Sequence, residues 1–170
     1  EAISDAEYVE SQSFLGDLAL AVRAIPAVLY GGDVAVAPDE LELAGIRVDN
    51  LTMAEAVNTL RDWSCGTEPR RVAFVNADCA NIAWRNPKYS GVVNTADLTL
   101  GDGIGIKVAA KLLGLQLKQN VNGTDMFPRL CEALQGLSGG IYLLGARPGI
   151  AEAVAGGVAS HYPAVRVAGF

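Results

Sequence analysis

From residue 45 onward, short apolar runs alternate with stretches whose apolar positions recur at helical spacing. The runs predict strands at residues 45–48, 71–76, 98–100, 141–144 and 164–168. Between them, Thr52-Met53-Ala54-Glu55 matches a capping box, and Met53, Ala56, Val57 and Leu60 share one face of the helix it opens, which runs to about Trp63. Further helices are predicted over residues 78–84, then from Asn86-Pro87 to near Thr95, and over 104–113 with Gly114 at its C′ position. Thr124 or Asp125 is expected to cap the next helix, with Pro128 in its first turn and Gly136 at its end. A last helix spans residues 148–160. Strand and helix in alternation predict an α/β fold, a Rossmann-like parallel sheet with helices on both faces.

The first part of the chain reads differently. Tyr8, Val9, Leu15, Leu18, Leu20 and Val22 are loosely helical in spacing over residues 5–24, and Pro26 ends the pattern. Gly31-Gly32-Asp33 and Pro38-Asp39-Glu40 mark a breaker-rich stretch. Residues 1–33 are therefore read as a tail, 34–44 as a linker and 45–170 as the folded domain.

Composition narrows the classes. At 170 residues and 51% hydrophobic, with a mean hydropathy of +0.26, the chain can bury a sizeable core without a metal or disulfide staple. A net charge of -6 argues against a broad nucleic-acid footprint, which needs clustered Lys and Arg. Cys65, Cys79 and Cys131 are odd in number and far apart, the pattern of reduced thiols in a cytoplasmic setting. The longest apolar stretch, residues 19–30, is broken by Arg23 and Pro26 and is too short for a membrane span. The chain begins without Met and stops at Phe170 inside a predicted strand, which suggests a piece of something larger, with an exposed edge that favours self-association.

The candidate chemistry centres on Gly101-Asp102-Gly103-Ile104-Gly105. A strand delivers one carboxylate, Asp102, onto a glycine-rich turn at the carboxyl end of the sheet, where open α/β sheets bind ligands and a general base belongs. The competing role for Asp102 is to cap the helix that follows. A dinucleotide fingerprint fails because its third glycine falls on Ile106, a P-loop fails for want of Gly-Lys-Ser/Thr, and no Asp-x-Asp pair is present to hold a divalent ion on a diphosphate. No metal or cofactor is expected. His161 and the pair Trp63 and Trp84 read as a solvated helix end and as core or interface residues.

Residues 74–170 resemble the WecG/TagA/CpsF glycosyltransferases. The likeness is carried by Phe74-Val75-Asn76-Ala77-Asp78, Tyr89, Asn94-Thr95-Ala96-Asp97-Leu98, Asp102-Gly103-Ile104-Gly105 and Leu112-Leu113-Gly114. It continues through Gly123-Thr124-Asp125 with Pro128, Leu143-Leu144-Gly145-Ala146-Arg147-Pro148-Gly149 and Tyr162-Pro163. The resemblance implies a metal-independent, inverting transfer of an N-acetylmannosamine-type sugar from a UDP donor to a polyprenyl-diphosphate-linked N-acetylglucosamine acceptor, at the inner face of the bacterial cytoplasmic membrane. It makes Asp102 the base and places Asn76, Asp78, Gly103, Asn120, Thr124, Asp125, Gly145, Pro148 and Gly149 around the substrates. Phe74 stands where relatives often carry threonine, and Asn120 where many carry arginine. The chain stops before the later Pro-Lys-Gln-Glu type segment that, by this resemblance, completes the site, and before the family's carboxyl-terminal membrane-targeting appendage.

Asp5, Tyr8-Val9, Ser13, Asp17-Leu18 and Ile25-Pro26-Ala27-Val28-Leu29 are similar to the carboxyl tail of bacterial sugar transferases that load polyprenyl phosphate. This implies a fused or neighbouring sugar transferase as partner. The alternative reading for the whole chain is a non-catalytic, Rossmann-like sugar-nucleotide-binding or assembly module.

Overall fold

A computed structural model of the chain describes residues 37–170; the predicted amino-terminal helix and tail lie outside them. Within this range the order is β1 (Glu40–Leu43), β2 (Ile46–Asp49), α1 (Met53–Ser64), β3 (Val72–Val75), α2 (Ala77–Arg85), α3 (Pro87–Val93), β4 (Leu98–Gly101), α4 (Ile104–Leu112), α5 (Gly123–Leu134), β5 (Gly140–Tyr142), α6 (Ile150–His161) and β6 (Arg166–Gly169). The fold is α/β and Rossmann-like in its central part.

The strands form pairs instead of the single parallel sheet that the alternation predicts. β3 and β4 run parallel in the register Val72↔Leu98 to Val75↔Gly101, β5 and β6 form a second parallel pair, and β1 and β2 an antiparallel hairpin. β5 is only three residues long, starts at Gly140 and carries a register irregularity at Ile141/Tyr142, so it offers little ladder for a wider sheet.

Helices cover both faces of the β3–β4 pair. On one face, Leu98, Leu100 and Val121 meet Met53, Ala56 and Val57 of α1 and Met126 of α5. On the other, Val75 packs with Ala83 of α2 and Ile106 of α4, with Tyr89 and Val93 of α3 alongside. The carboxyl-terminal β5–β6 pair has a core of its own, in which Cys131 of α5 packs with Val158 and Val165. Burial pushes the Cys131 thiol above its ordinary pKa, as expected for a cysteine used as a small hydrophobe.

Residues 40–43, read from the sequence as the end of a linker, are strand β1. Leu41, Leu43, Ile46 and Val48 are each no more than 3% exposed and join the α2–α4 core. Four buried aliphatic side chains contribute about 6–12 kcal/mol before conformational entropy is set against them, enough to hold the hairpin on the domain. Its two-residue turn places both Ala44 (φ 53°) and Gly45 (φ 80°) in the left-handed region, the twist a tight hairpin needs. The Asn94 side chain then serves as a strand partner, accepting from Arg47 N at 2.9 Å and donating to Gly45 O at 2.9 Å.

Local signals explain most helix ends. Thr52 and Glu55 form the reciprocal capping box, and Gly114 (φ 69°) follows the Leu113 cap of α4. Two expectations for α5 are corrected. Its N-cap is Asn122, whose side-chain oxygen accepts from Asp125 N at 2.7 Å, in place of Thr124 or Asp125. Asp125 instead answers from inside the helix, accepting from Asn122 Nδ2 at 2.8 Å. Because the helix starts at Gly123, Pro128 lies inside it, beyond the first turn, and deprives the exposed Thr124 of a partner for its carbonyl. Of the two tryptophans, Trp63 packs beside the α1–α5 core with Arg70 5.5 Å over its ring, whereas Trp84 is 55% exposed.

Candidate active site at the strand tips

The register of β3 on β4 fixes the site. Val75 is opposite Gly101, and the next residue on each strand is Asn76 or Asp102. The pairing carries one bond further, with Asp102 N donating to Val75 O at 2.8 Å. Neighbouring strands are about 4.8 Å apart, so the two polar residues leave the sheet side by side. On the other flank of β4, Val121 N donates to Gly101 O at 2.9 Å, which brings residues 120–123 along the same tip.

Three helices start here: α2 directly after Asn76, α4 after Gly103 and α5 after Asn122. Each points a positive dipole end toward the strand tips. In α2 the Asn76 side-chain oxygen accepts from Cys79 N at 3.0 Å, which leaves its Nδ2 donor facing out. α5 is capped by Asn122. α4 has no side-chain cap: its N-cap is Gly103 at φ 89°, a conformation that suits glycine, so its first amides stay available.

Asp102 does not cap α4. It is half-buried, and among the described residues no hydrogen bond or ion pair engages its carboxylate. A carboxylate held at a strand tip, beside an open helix amino terminus and unpartnered, can take a proton from a group brought to it. Two glycines permit this arrangement. A β-carbon on Gly101 would lie 3.0 Å from an Ile106 methyl, and one on Gly105 would lie 2.7 Å from the Ala77 β-carbon. At Gly105 only hydrogen lets α4 settle against the start of α2, and at Gly101 a methyl would press on the Ile106 side chain.

The remaining sequence-predicted residues divide into two sets. Asp78 is exposed in the first turn of α2, and Asn120 is half-buried immediately before Val121 with its Oδ1 buried and unbonded. Thr124 and Asp125 lie in the exposed first turn of α5, with Asp125 engaged by Asn122. These join the Asp102 tip. Gly145, Pro148 and Gly149 are exposed on the loop from β5 into α6, on a strand pair that is not hydrogen-bonded to β3–β4. The sequence reading passed over Asn122 as a cap, although Asn three residues before Asp125 is itself a capping signal. Phe74, which stands where relatives often carry threonine, places its ring 3.8 Å from where a Gly123 β-carbon would be, against the start of α5.

One groove among the described residues lies elsewhere. It has a volume of about 460 Å³, is lined by Glu40, Glu42, Arg47 and Asn94 among others, and sits where the chain enters β4, not where it leaves. Among the described residues no three His, Cys, Asp or Glu side chains converge as a metal-binding group, and no helix is long and apolar enough to cross a membrane.

Comparison with known proteins identifies the family. Residues 41–170 match the model of the glycosyl transferase WecG/TagA/CpsF family. Two curated relatives, from Bacillus spizizenii strain W23 and Bacillus subtilis strain 168, are each 27% identical over 99 residues, or 58% of this chain and 38% and 39% of theirs. A third, from Staphylococcus aureus strain NCTC 8325, is 22% identical over 131 residues, covering 76% of this chain and 52% of its own. All three are named N-acetylglucosaminyldiphosphoundecaprenol N-acetyl-beta-D-mannosaminyltransferase. The chain thus spans between about two fifths and one half of the length of these relatives. With the matched region beginning inside β1 and running through every element that builds the strand-tip site, the chain belongs to the WecG/TagA/CpsF family of glycosyl transferases.

Proposed function

We propose that this domain transfers an N-acetylmannosamine-type sugar from a UDP donor to a lipid-linked N-acetylglucosamine acceptor during assembly of a bacterial envelope polymer. The observation that carries the reading is the free Asp102 carboxylate beside Asn76, at a tip where three helices begin. The names of the relatives supply the sugar and the acceptor.

In this mechanism the acceptor hydroxyl gives its proton to Asp102 as its oxygen attacks the anomeric carbon. The bond from that carbon to the donor diphosphate breaks on the opposite face, so configuration inverts and UDP departs. The open amides of α4 and the dipoles of α2 and α5 meet the charge that grows on the diphosphate. That supply of backbone donors, together with the lack of an Asp-x-Asp pair in the sequence, supports a metal-independent reaction. Asn76 Nδ2 and the unbonded Asn120 Oδ1 offer one donor and one acceptor for substrate hydroxyl or amide groups. Gly103 lets the backbone approach, while Asp78, Thr124 and Asp125 line the edges of the tip. Gly145, Pro148 and Gly149 would bear on the donor from the β5–α6 loop.

Calorimetric titration with UDP, paired with a transfer assay on the full-length protein, tests the proposal. It predicts that UDP binds, that Asn76→Ala weakens binding, and that sugar appears on the lipid-linked acceptor. UDP binding with no transfer would favour the sugar-nucleotide-binding module instead.

A further inference from the structure

The outer surface of α4 is unusual for a chain of net charge -6. Ile106 and Ala110 turn inward and are buried, whereas Ile104 is 72% and Val108 48% exposed, with Lys107 and Lys111 exposed beside them. These four positions, spaced i, i+3, i+4 and i+7, form one stripe along the helix. α3, which packs on the same core, repeats the theme: Tyr89 and Val93 face the core while Lys88 and Val92 are exposed, Val92 at 61%. No Asp or Glu occurs from residue 79 to 96 or from 103 to 124. Among the described residues none of Lys88, Lys107 and Lys111 is ion-paired, whereas Lys118 lies near Asp39 and Glu55.

We infer that the α4 stripe is a docking face for an anionic lipid surface. Interleaved lysines attract acidic headgroups, and the isoleucine and valines between them enter the acyl boundary. The position of the stripe gives this a purpose. α4 begins two residues after Asp102, so a bilayer lying against Ile104 brings the headgroup layer to the strand tip. The inference rests on the transferase reading for that purpose, since a polyprenyl-linked acceptor presents its sugar at this depth.

Co-sedimentation with lipid vesicles tests it on the same protein. The protein is expected to pellet with vesicles containing phosphatidylglycerol, to bind pure phosphatidylcholine vesicles far less, and to be released by salt. Replacing Lys107→Gln and Lys111→Gln together is expected to lower the partition coefficient about 25-fold, and Ile104→Ser with Val108→Ser to weaken it as well. Equal partition of parent and both variants, or no preference for the acidic lipid, would overturn the docking face. So would a dimer that Ile104→Ser with Val108→Ser dissociates, since a second copy would then cover the stripe. UDP titration of every variant separates the two ideas. Retained UDP binding with no vesicle effect defeats the face alone, whereas the expected vesicle pattern without UDP binding defeats the transferase reading alone.

Discussion

Gly105 and Ala77 pack so closely that a β-carbon on the glycine would lie 2.7 Å from the one on the alanine. This contact sets the first turn of α4 against the start of α2, and with it the spacing of Asp102 from Asn76. Gly105→Ala is expected to lower stability by about 1–3 kcal/mol despite the better helix propensity of alanine, and to weaken UDP binding. Ala77→Gly in the same chain should restore most of the binding. Urea titration and calorimetry on the single and double variants check both statements.

The capping pattern at α5 makes a second prediction. Asn122→Ala removes the acceptor for Asp125 N and should cost about 1 kcal/mol, while Thr124→Ala should change stability little, because the structure gives the Thr124 side chain no capping role. Denaturant midpoints for the two variants decide it. Equal losses would return the cap to the position expected from sequence.

Ala44 carries the first left-handed position of the β1–β2 turn, where asparagine is at ease and alanine is strained. Ala44→Asn is therefore expected to raise the thermal midpoint, by a stability gain of roughly 1 kcal/mol. An unchanged or lower midpoint would mean that the turn is not held in this form in solution.

Acid sensitivity should follow Asp97 and Glu55. The Arg71 backbone amide, then the Arg70 side chain, hold the Asp97 carboxyl below the ordinary range, and the Thr52 backbone amide and hydroxyl do the same for Glu55. Both groups have lower pKa values folded than unfolded. The stability they add is thus present above the ordinary carboxylate range and is lost as pH falls below about 4 through the depressed values. Stability measured against pH should decline less steeply in this acid limb for Asp97→Asn than for the parent.

The fold was legible where a local signal and a packed face coincide. Thr52 with Glu55 announces α1, the break at Asn86-Pro87 separates α2 from α3, and the apolar run before Asp102 marks β4. Asp102 and Asn76 were legible as tip residues because a strand end followed by a helix start constrains what the next side chain can do. What escaped depends on partners remote in sequence. Nothing local shows that Leu41 and Leu43 bury against α2 and α4, so Glu40 and the nearby Pro38 made β1 resemble linker. The division into strand pairs escaped for the same reason, since pairing between strands leaves no trace in the spacing of either one.

The most direct measurement is sugar transfer by the full-length protein with Asp102→Asn, assayed from UDP-N-acetylmannosamine to a lipid-linked N-acetylglucosamine acceptor. The account predicts turnover lowered by about 100- to 10,000-fold with UDP affinity retained, because the variant keeps the shape of the tip and loses only the proton acceptor. Turnover equal to that of the parent would contradict it.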